Sequence, residues 1–207
     1  MAEWFILPLR NVFPSVVWSG PGADIHLTFD DGPHPAATPV VLEILRRYHV
    51  RATFFLVGER VQKYPEIVQA IVADGHAVGN HTYSHRSVMF RSTGKVRDEV
   101  RRCNEAILES GGPRPSMFRP PHGVFDPTTP ARVRAEGCST VLFGVNSWDF
   151  SRPHPNRIID RIVRLTRPGD IVLFHDNDVT QDRVEHYLPG SLDGLLSRGH
   201  TISLLPS

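Results

Sequence analysis

The sequence predicts an α/β fold built on a mainly parallel β-sheet. Two observations carry that reading. Short apolar runs of strand length recur along the chain, and between them lie stretches whose apolar residues follow helical spacing. Strands that alternate with helices pair in parallel, because each helix returns the chain to the same end of the sheet. Several runs also stop at polar or charged residues, at Asp30-Asp31, Asn80-His81, Arg119 and His175. In sheets of this kind functional groups gather at the C-terminal ends of the strands.

Taken in order, the first predicted strand is 25–29, closed by a Gly32-Pro33 turn signal. Thr38 is expected to cap a helix with Pro39 at its first position and Val41, Ile44, Leu45 and Tyr48 inward. A strand at 52–57 leads to a helix opened by Pro65, with Ile67, Val68, Ile71 and Val72 inward and Gly75 closing it. After a strand at 76–80, the stripe Val96, Val100, Cys103 and Ile107 marks a helix whose wet face carries Arg97, Arg101 and Arg102. Strands at 116–119 and 139–143 follow, then a helix on Ile158, Ile159, Ile162 and Val163. Strands at 171–174 and 201–205 complete the pattern. Periodicity alone does not separate a closed barrel from an open, doubly wound sheet.

The length of 207 residues suits one domain with a sizeable core. Residues 1–15 read as an N-terminal extension and 16–207 as the domain. A net charge of +1 gives no nucleic-acid or membrane footprint. Two cysteines are too few for a disulfide framework, and Cys103 reads as a buried free thiol. The apolar patch Trp4-Phe5-Ile6-Leu7 lacks the basic start and long core of a secretory signal, and no run reaches membrane-helix length. A complete chain is therefore expected in the cytoplasm, and a trimmed one outside it. Nothing in the sequence encodes an oligomeric state.

The chemistry begins at Thr28-Phe29-Asp30-Asp31-Gly32-Pro33, where an apolar run ends in paired carboxylates. Neighbours on an extended chain point to opposite sides, so Asp30 and Asp31 are expected to take different roles. Burying either one requires a metal or a cation to meet it. His81-Thr82-Tyr83-Ser84-His85 sets two histidines at i and i+4, one face of a helix or helical turn. Two histidines and a carboxylate leave a zinc position open for water, as in hydrolytic sites. With eleven histidines in the chain, such a pair alone is a weak signal. Asn80-His81-Thr82 also spells a glycosylation sequon, which a neighbouring ligand role would obstruct.

Phe118-Arg119-Pro120-Pro121-His122-Gly123, Asn146-Ser147-Trp148-Asp149-Phe150 and Ile171-Val172-Leu173-Phe174-His175-Asp176 follow in order. With these the chain resembles the polysaccharide deacetylases of carbohydrate esterase family 4, over roughly residues 16–205. The resemblance implies an irregular, incomplete (β/α) barrel. It implies that Asp31, His81 and His85 hold one divalent metal, zinc by preference with cobalt or nickel as substitutes. It makes Asp30 the general base paired with Arg119, and His175 the general acid tuned by Asp149. Leu173 would meet the acetyl methyl, and the backbone N–H of His122 the oxyanion. His122 and Phe150 stand where the family often has an aromatic residue and Trp, and Phe150 is the position expected to alter a sugar or acyl contact.

The chemistry agrees with those roles. Amide hydrolysis needs an activated water, stabilisation of the tetrahedral oxygen and a proton for the leaving amine. Arg119 beside Asp30 favours its ionised form, and Asp149 beside His175 favours the imidazolium. The expected substrate is an N-acetylated amino sugar, oligomeric or polymeric, such as a chitooligosaccharide or peptidoglycan. An amidohydrolase or deformylase acting on a small molecule or lipid-linked sugar is the second reading. A non-catalytic carbohydrate-binding module is the third, and it has no need for both a base and an acid.

Overall fold

A computed structural model describes residues 10–206, so the apolar patch at 4–7 lies outside the described residues. Seven parallel strands form one sheet: β1 (His26–Asp30), β2 (Thr53–Leu56), β3 (Ala77–Asn80), β4 (Met117–Phe118), β5 (Ser139–Thr140), β6 (Val145–Asn146) and β7 (Ile171–His175). Their spatial order is β5-β4-β3-β2-β1-β7-β6, with β2 at the centre and β1 beside it. The connecting helices are α1 (Ala37–Arg47), α2 (Gly58–Lys63), α3 (Pro65–Ala73), α4 (Thr93–Glu109), α5 (Thr129–Arg134), α6 (Pro155–Leu165) and α7 (Val184–Ser197). The sheet curls into an incomplete barrel. Its edge strands β5 and β6 do not pair with each other. Residues 17–20 lie across the gap instead: Val17 bridges to Val141 and Ser19 to Asp170.

The core sits between the sheet and the helices. Phe29 stacks on Phe54 and Phe174 at centroid separations of 5.1 and 5.7 Å, tying β2, β1 and β7 together. Val41, Ile44 and Leu45 of α1 and Val68 and Ile71 of α3 are fully buried in the same cluster. Pro65 opens α3, and Gly75 with φ +77° ends it while donating its N–H to Val72. Cys103 is buried and unbonded to another cysteine, as its place on the apolar stripe of α4 implied.

Register sets the site. Asp30, the last residue of β1, lies beside Phe55 of β2 and His175 of β7, while Asn80 at the end of β3 pairs with Phe118. The C-terminal rim therefore brings Asp30, Asn80-His81, Arg119 and His175 together, although they are far apart in sequence.

Four expectations are corrected. No strand forms at 201–205: one bridge joins Ile25 to Ile202, and the next N–H of β1, from His26, turns to Asp170 O. The run at 139–143 pairs as a strand only over Ser139–Thr140, and Val145–Asn146 forms the unanticipated edge strand β6. Thr38 does not cap α1. The helix begins at Ala37, two residues before Pro39, and the Nδ1 atom of His34 accepts from the N–H groups of Ala36 and Ala37 at 3.2 and 3.1 Å. Thr38 Oγ1 instead accepts from the His34 N–H and donates to buried Asp176. Finally, His81 to His85 is a loop rather than a helical turn, with Thr82 and His85 in the left-handed region at φ +67° and +55°.

Candidate active site

The strand-to-loop transition at Asp30-Asp31 decides the arrangement. Asp30 is extended, but Asp31 has φ +76°, which breaks the alternation of the strand. Both carboxylates consequently face one cleft instead of opposite sides. Asp31 Oδ1 lies 2.9 Å from His85 Nε2 and 3.4 Å from His81 Nε2, and Asp30 Oδ2 lies 3.7 Å from His81 Nε2. One donor atom from each of Asp31, His81 and His85 falls within 4.8 Å of the others.

The donor set fits a metal ion. His81 Nδ1 is 2.8 Å from the carbonyl of Arg119, which only a protonated Nδ1 satisfies. The Nε2 lone pair is thereby left facing the cluster, the tautomer a ligating histidine needs. Burial opposes ionisation of Asp31, but the adjoining His81 and His85 imidazoles overcome it and hold the carboxyl well below its ordinary range. The loop geometry is anchored by Asn80, a buried side chain that donates to Val100 O and Asn104 Oδ1 and accepts from Thr82 N–H. An asparagine enclosed in this way is no glycan acceptor.

Asp30 has a different partner. Arg119, fully buried, donates from Nη1 to Asp30 Oδ1 at 2.7 Å and to Thr28 Oγ1 at 2.8 Å, and from Nη2 to Leu142 O at 3.1 Å. Its guanidinium stacks 4.1 Å from the centroid of Phe55. A buried charge pair with these additional bonds has a fixed geometry, which a positioned base requires.

Across the cleft, His175 Nδ1 bonds Asp149 Oδ1 at 2.7 Å, and the His175 N–H donates to Asp149 Oδ2 at 2.9 Å. Burial alone would depress the imidazole. The Asp149 carboxylate, by charge and hydrogen bond, outweighs it with help from Asp31 and Asp30, and the pKa rises to about 9. The cleft has a volume of about 560 Å³, and Leu173, Trp148, Phe150 and His122 are among its walls. Phe150 meets the His175 ring edge-on at 5.4 Å. His122 has φ +60° and packs 5.0 Å from His85. Burial first, then the nearby His85, lowers the His122 pKa.

Asp30, Asp31, His81, His85, His122, Phe150, Leu173 and His175 thus line one cleft, and Arg119 and Asp149 support it from behind. Three contributors were not foreseen. Asn177 Nδ2 donates to Asp31 Oδ2 at 2.7 Å, and its Oδ1 accepts from Val179 N–H, so the amide is locked in that sense. Tyr187 of α7 donates to Asp149 Oδ2 at 3.1 Å. Trp18, from the segment that spans the barrel gap, forms a wall of the cleft. Asn177 follows the His175-Asp176 motif directly, and that adjacency was the available signal. Tyr187 and Trp18 carried none, because their neighbours in space are distant in sequence.

A sequence profile described as polysaccharide deacetylase matches residues 19–141. The chain belongs to the polysaccharide deacetylase family. It is 36% identical over 195 residues to a chitooligosaccharide deacetylase of Bradyrhizobium sp. (strain ANU 289), covering 88% of this chain and 89% of the relative. It is 37% identical over 175 residues to a peptidoglycan-N-acetylglucosamine deacetylase of Bacillus cereus (strain ATCC 14579), covering 80% of each. Among solved structures, a family 4 carbohydrate esterase pseudoenzyme from Bacillus anthracis superposes with a TM-score of 0.85 at 27% identity, covering 93% of this chain and 68% of that one. The fold is therefore shared by polysaccharide deacetylases that act and one that does not, and the side chains decide between them. In this polysaccharide deacetylase the Asp31, His81 and His85 cluster is present. The chain is a metal-dependent hydrolase of the deacetylase class.

Proposed function

We propose that this chain removes acetyl groups from N-acetylglucosamine units of an oligo- or polysaccharide, using one zinc ion held by Asp31, His81 and His85. A divalent ion in such a site acts as a Lewis acid and lowers the pKa of a water toward neutrality. Asp30, oriented by Arg119, accepts the proton of the nucleophilic water. The backbone N–H of His122 donates to the oxygen on which charge develops. His175, protonated near neutral pH and braced by Asp149, gives its proton to the departing amine. Leu173 lies against the acetyl methyl, and Phe150 against the sugar. The catalytic domain takes residues 16–207. Cobalt or nickel replaces zinc with activity, because two histidines and a carboxylate select weakly among these metals.

One observation carries this reading. Two ionisable groups with separate buried partners, Asp30 with Arg119 and His175 with Asp149, flank a single acid–histidine cluster. A sugar-binding module gains nothing from a braced base opposite a braced acid, whereas amide hydrolysis needs both. The test is acetate release by zinc-loaded protein from N-acetylglucosamine oligomers of increasing length. Acetate should appear with free amine in equal amount. If no N-acetyl sugar reacts while a formylated or small N-acyl amine does, the substrate assignment fails and the small-molecule amidohydrolase takes its place.

A further inference from the structure

Helix α6 carries Arg157, Arg161 and Arg164 at i, i+4 and i+7, a spacing that sets them in one stripe. Ile158 and Ile162 on the opposite face are fully buried, so the arginine face looks outward. These arginines line a second cavity of about 420 Å³ together with Ser147, Trp148 and Ser151. Trp148 and Arg161 also line the catalytic cleft, so the two cavities share a wall. Arg161 is fixed there: its Nε donates to Asn146 O at 2.7 Å, and its guanidinium lies 6.0 Å from the Trp148 centroid.

The charge in this cavity is in excess. Asp160 is the one acid of its lining, against the exposed Arg157 and Arg164. Arg157 and Arg164 are exposed and meet no carboxylate at ion-pair distance among the described residues. The arginines of α4 behave otherwise. Arg97 pairs with Glu136, Arg101 with Asp98, and Arg102 reaches Asp98 while lying over the Tyr83 ring. A wet helix face normally neutralises its own charge in that way. On α6, one tryptophan away from the reacting centre, Arg157 and Arg164 are not neutralised in that way among the described residues.

We propose that this stripe is an anion subsite, which binds a carboxylate or phosphate carried on the saccharide next to the sugar undergoing deacetylation. Guanidinium groups match the planar, two-oxygen edge of either anion, and Arg157 and Arg164 have donors to spare. The inference rests on the deacetylase reading and adds to it a substrate class: an amino-sugar chain bearing negative charge.

The experiment compares three oligomers of equal length with zinc-loaded full chain: neutral N-acetylglucosamine, one with a carboxylate on neighbouring sugars, and one with a phosphate monoester there. The wild type should show a lower KM for an anionic oligomer, and the advantage should shrink with salt. The double variant Arg157→Gln/Arg164→Gln should raise that KM by about tenfold or more, the worth of a lost charged hydrogen bond. Its kcat, and its KM for the neutral oligomer, should stay unchanged. Whether carboxylate or phosphate is favoured names the anion. Equal KM values for all three oligomers in the wild type, or an advantage that survives in the double variant, would overturn the subsite. Should no oligomer release acetate, the deacetylase reading fails by itself. Calorimetric titration of the anionic oligomers then decides the subsite alone: binding lost in the double variant supports it, and equal binding overturns it.

Discussion

At Asp30 and His175 the surroundings differ although both line one cleft. Asp30 is held by a buried guanidinium, and His175 by a buried carboxylate. Neither belongs to the acid–histidine cluster, so the proposed base and acid should be removable without removing the metal. Asp30→Asn and His175→Ala should each lower turnover by roughly 10² to 10⁴, the usual worth of a positioned proton-transfer group. Zinc content measured on the same samples should be unchanged. Near-normal turnover in zinc-loaded Asp30→Asn would send the search for the base elsewhere. The pH dependence follows from His175. Its pKa of about 9 lies above the ordinary histidine value, and the proposed acid works in its protonated form, so activity should fall as pH rises through it. A cation beside Asp31 offsets the upward push from that carboxylate, which puts the basic limb at or below about 9. Asp149→Asn removes the largest upward contribution, and the limb of kcat/KM should move to lower pH. An unmoved limb would detach Asp149 from the acid.

Between elements, the junction of α1 and β7 is the least expected feature. Asp176 follows the acid, is fully buried, and has Thr38 Oγ1 on Oδ2 but no partner on Oδ1. It sits where a side chain on Gly32 would have to be: a Cβ there would lie 2.4 Å from Asp176 Oδ2. Burial is the main reason that its pKa rises to about 8, and Asp31 adds to it. The native state then holds a proton that the unfolded chain releases near the ordinary aspartate value of 3.8. The stability this contributes is full below that value and is lost as pH climbs through about 8. With a chelator present, so that no cation depresses Asp176, the urea midpoint should fall between pH 5 and 8. Asp176→Asn, which carries no proton to lose, should flatten that decline. A wild-type midpoint as steep as that of the variant would mean that Asp176 ionises freely. Gly32 has no room for a methyl, and Gly32→Ala should be destabilising for the same steric reason.

For the molecule as a whole, the metal site joins elements that are otherwise linked only through the sheet. Asp31 comes from the end of β1, His81 and His85 from the loop after β3, and Asn177 reaches Asp31 from the loop after β7. An ion that binds this assembled site and not the unfolded chain must stabilise the fold. Protein purified without chelator should carry about one equivalent of divalent metal, and its melting temperature should fall when the ion is removed. The double variant His81→Ala/His85→Ala should lose the metal and the chelator-dependent shift together. Stoichiometric metal in that variant would place the site elsewhere.

What was legible in the sequence is what local physics encodes. Strand and helix alternation gave the α/β class, because burial on a sheet and on a helix leaves different periods in the chain. The stripes of α1, α3 and α4 were read directly, as was the placement of polar groups at strand ends. Eleven histidines, however, look alike in sequence. His81 and His85 face a carboxylate, His34 caps α1, and His76 is a core residue whose pKa burial lowers to about 4. Only tertiary contacts separate those roles. The left-handed turns at Asp31, Thr82 and His85 were hidden too, since Asn177 reaches Asp31 from far along the chain and Asn80, which bonds the Thr82 N–H, is itself held by Asn104. The sequence by itself determined the class of fold and the residue types of the site. The tertiary structure decided which groups meet, because parallel register along β1, β2, β3 and β7 converts distant strand ends into neighbours. It also decided where charge is left unpaired, at Arg157 and Arg164 rather than on α4, because Asp98 of α4 and Glu136 just after α5 reach the arginines of α4 and no acid among the described residues reaches those two.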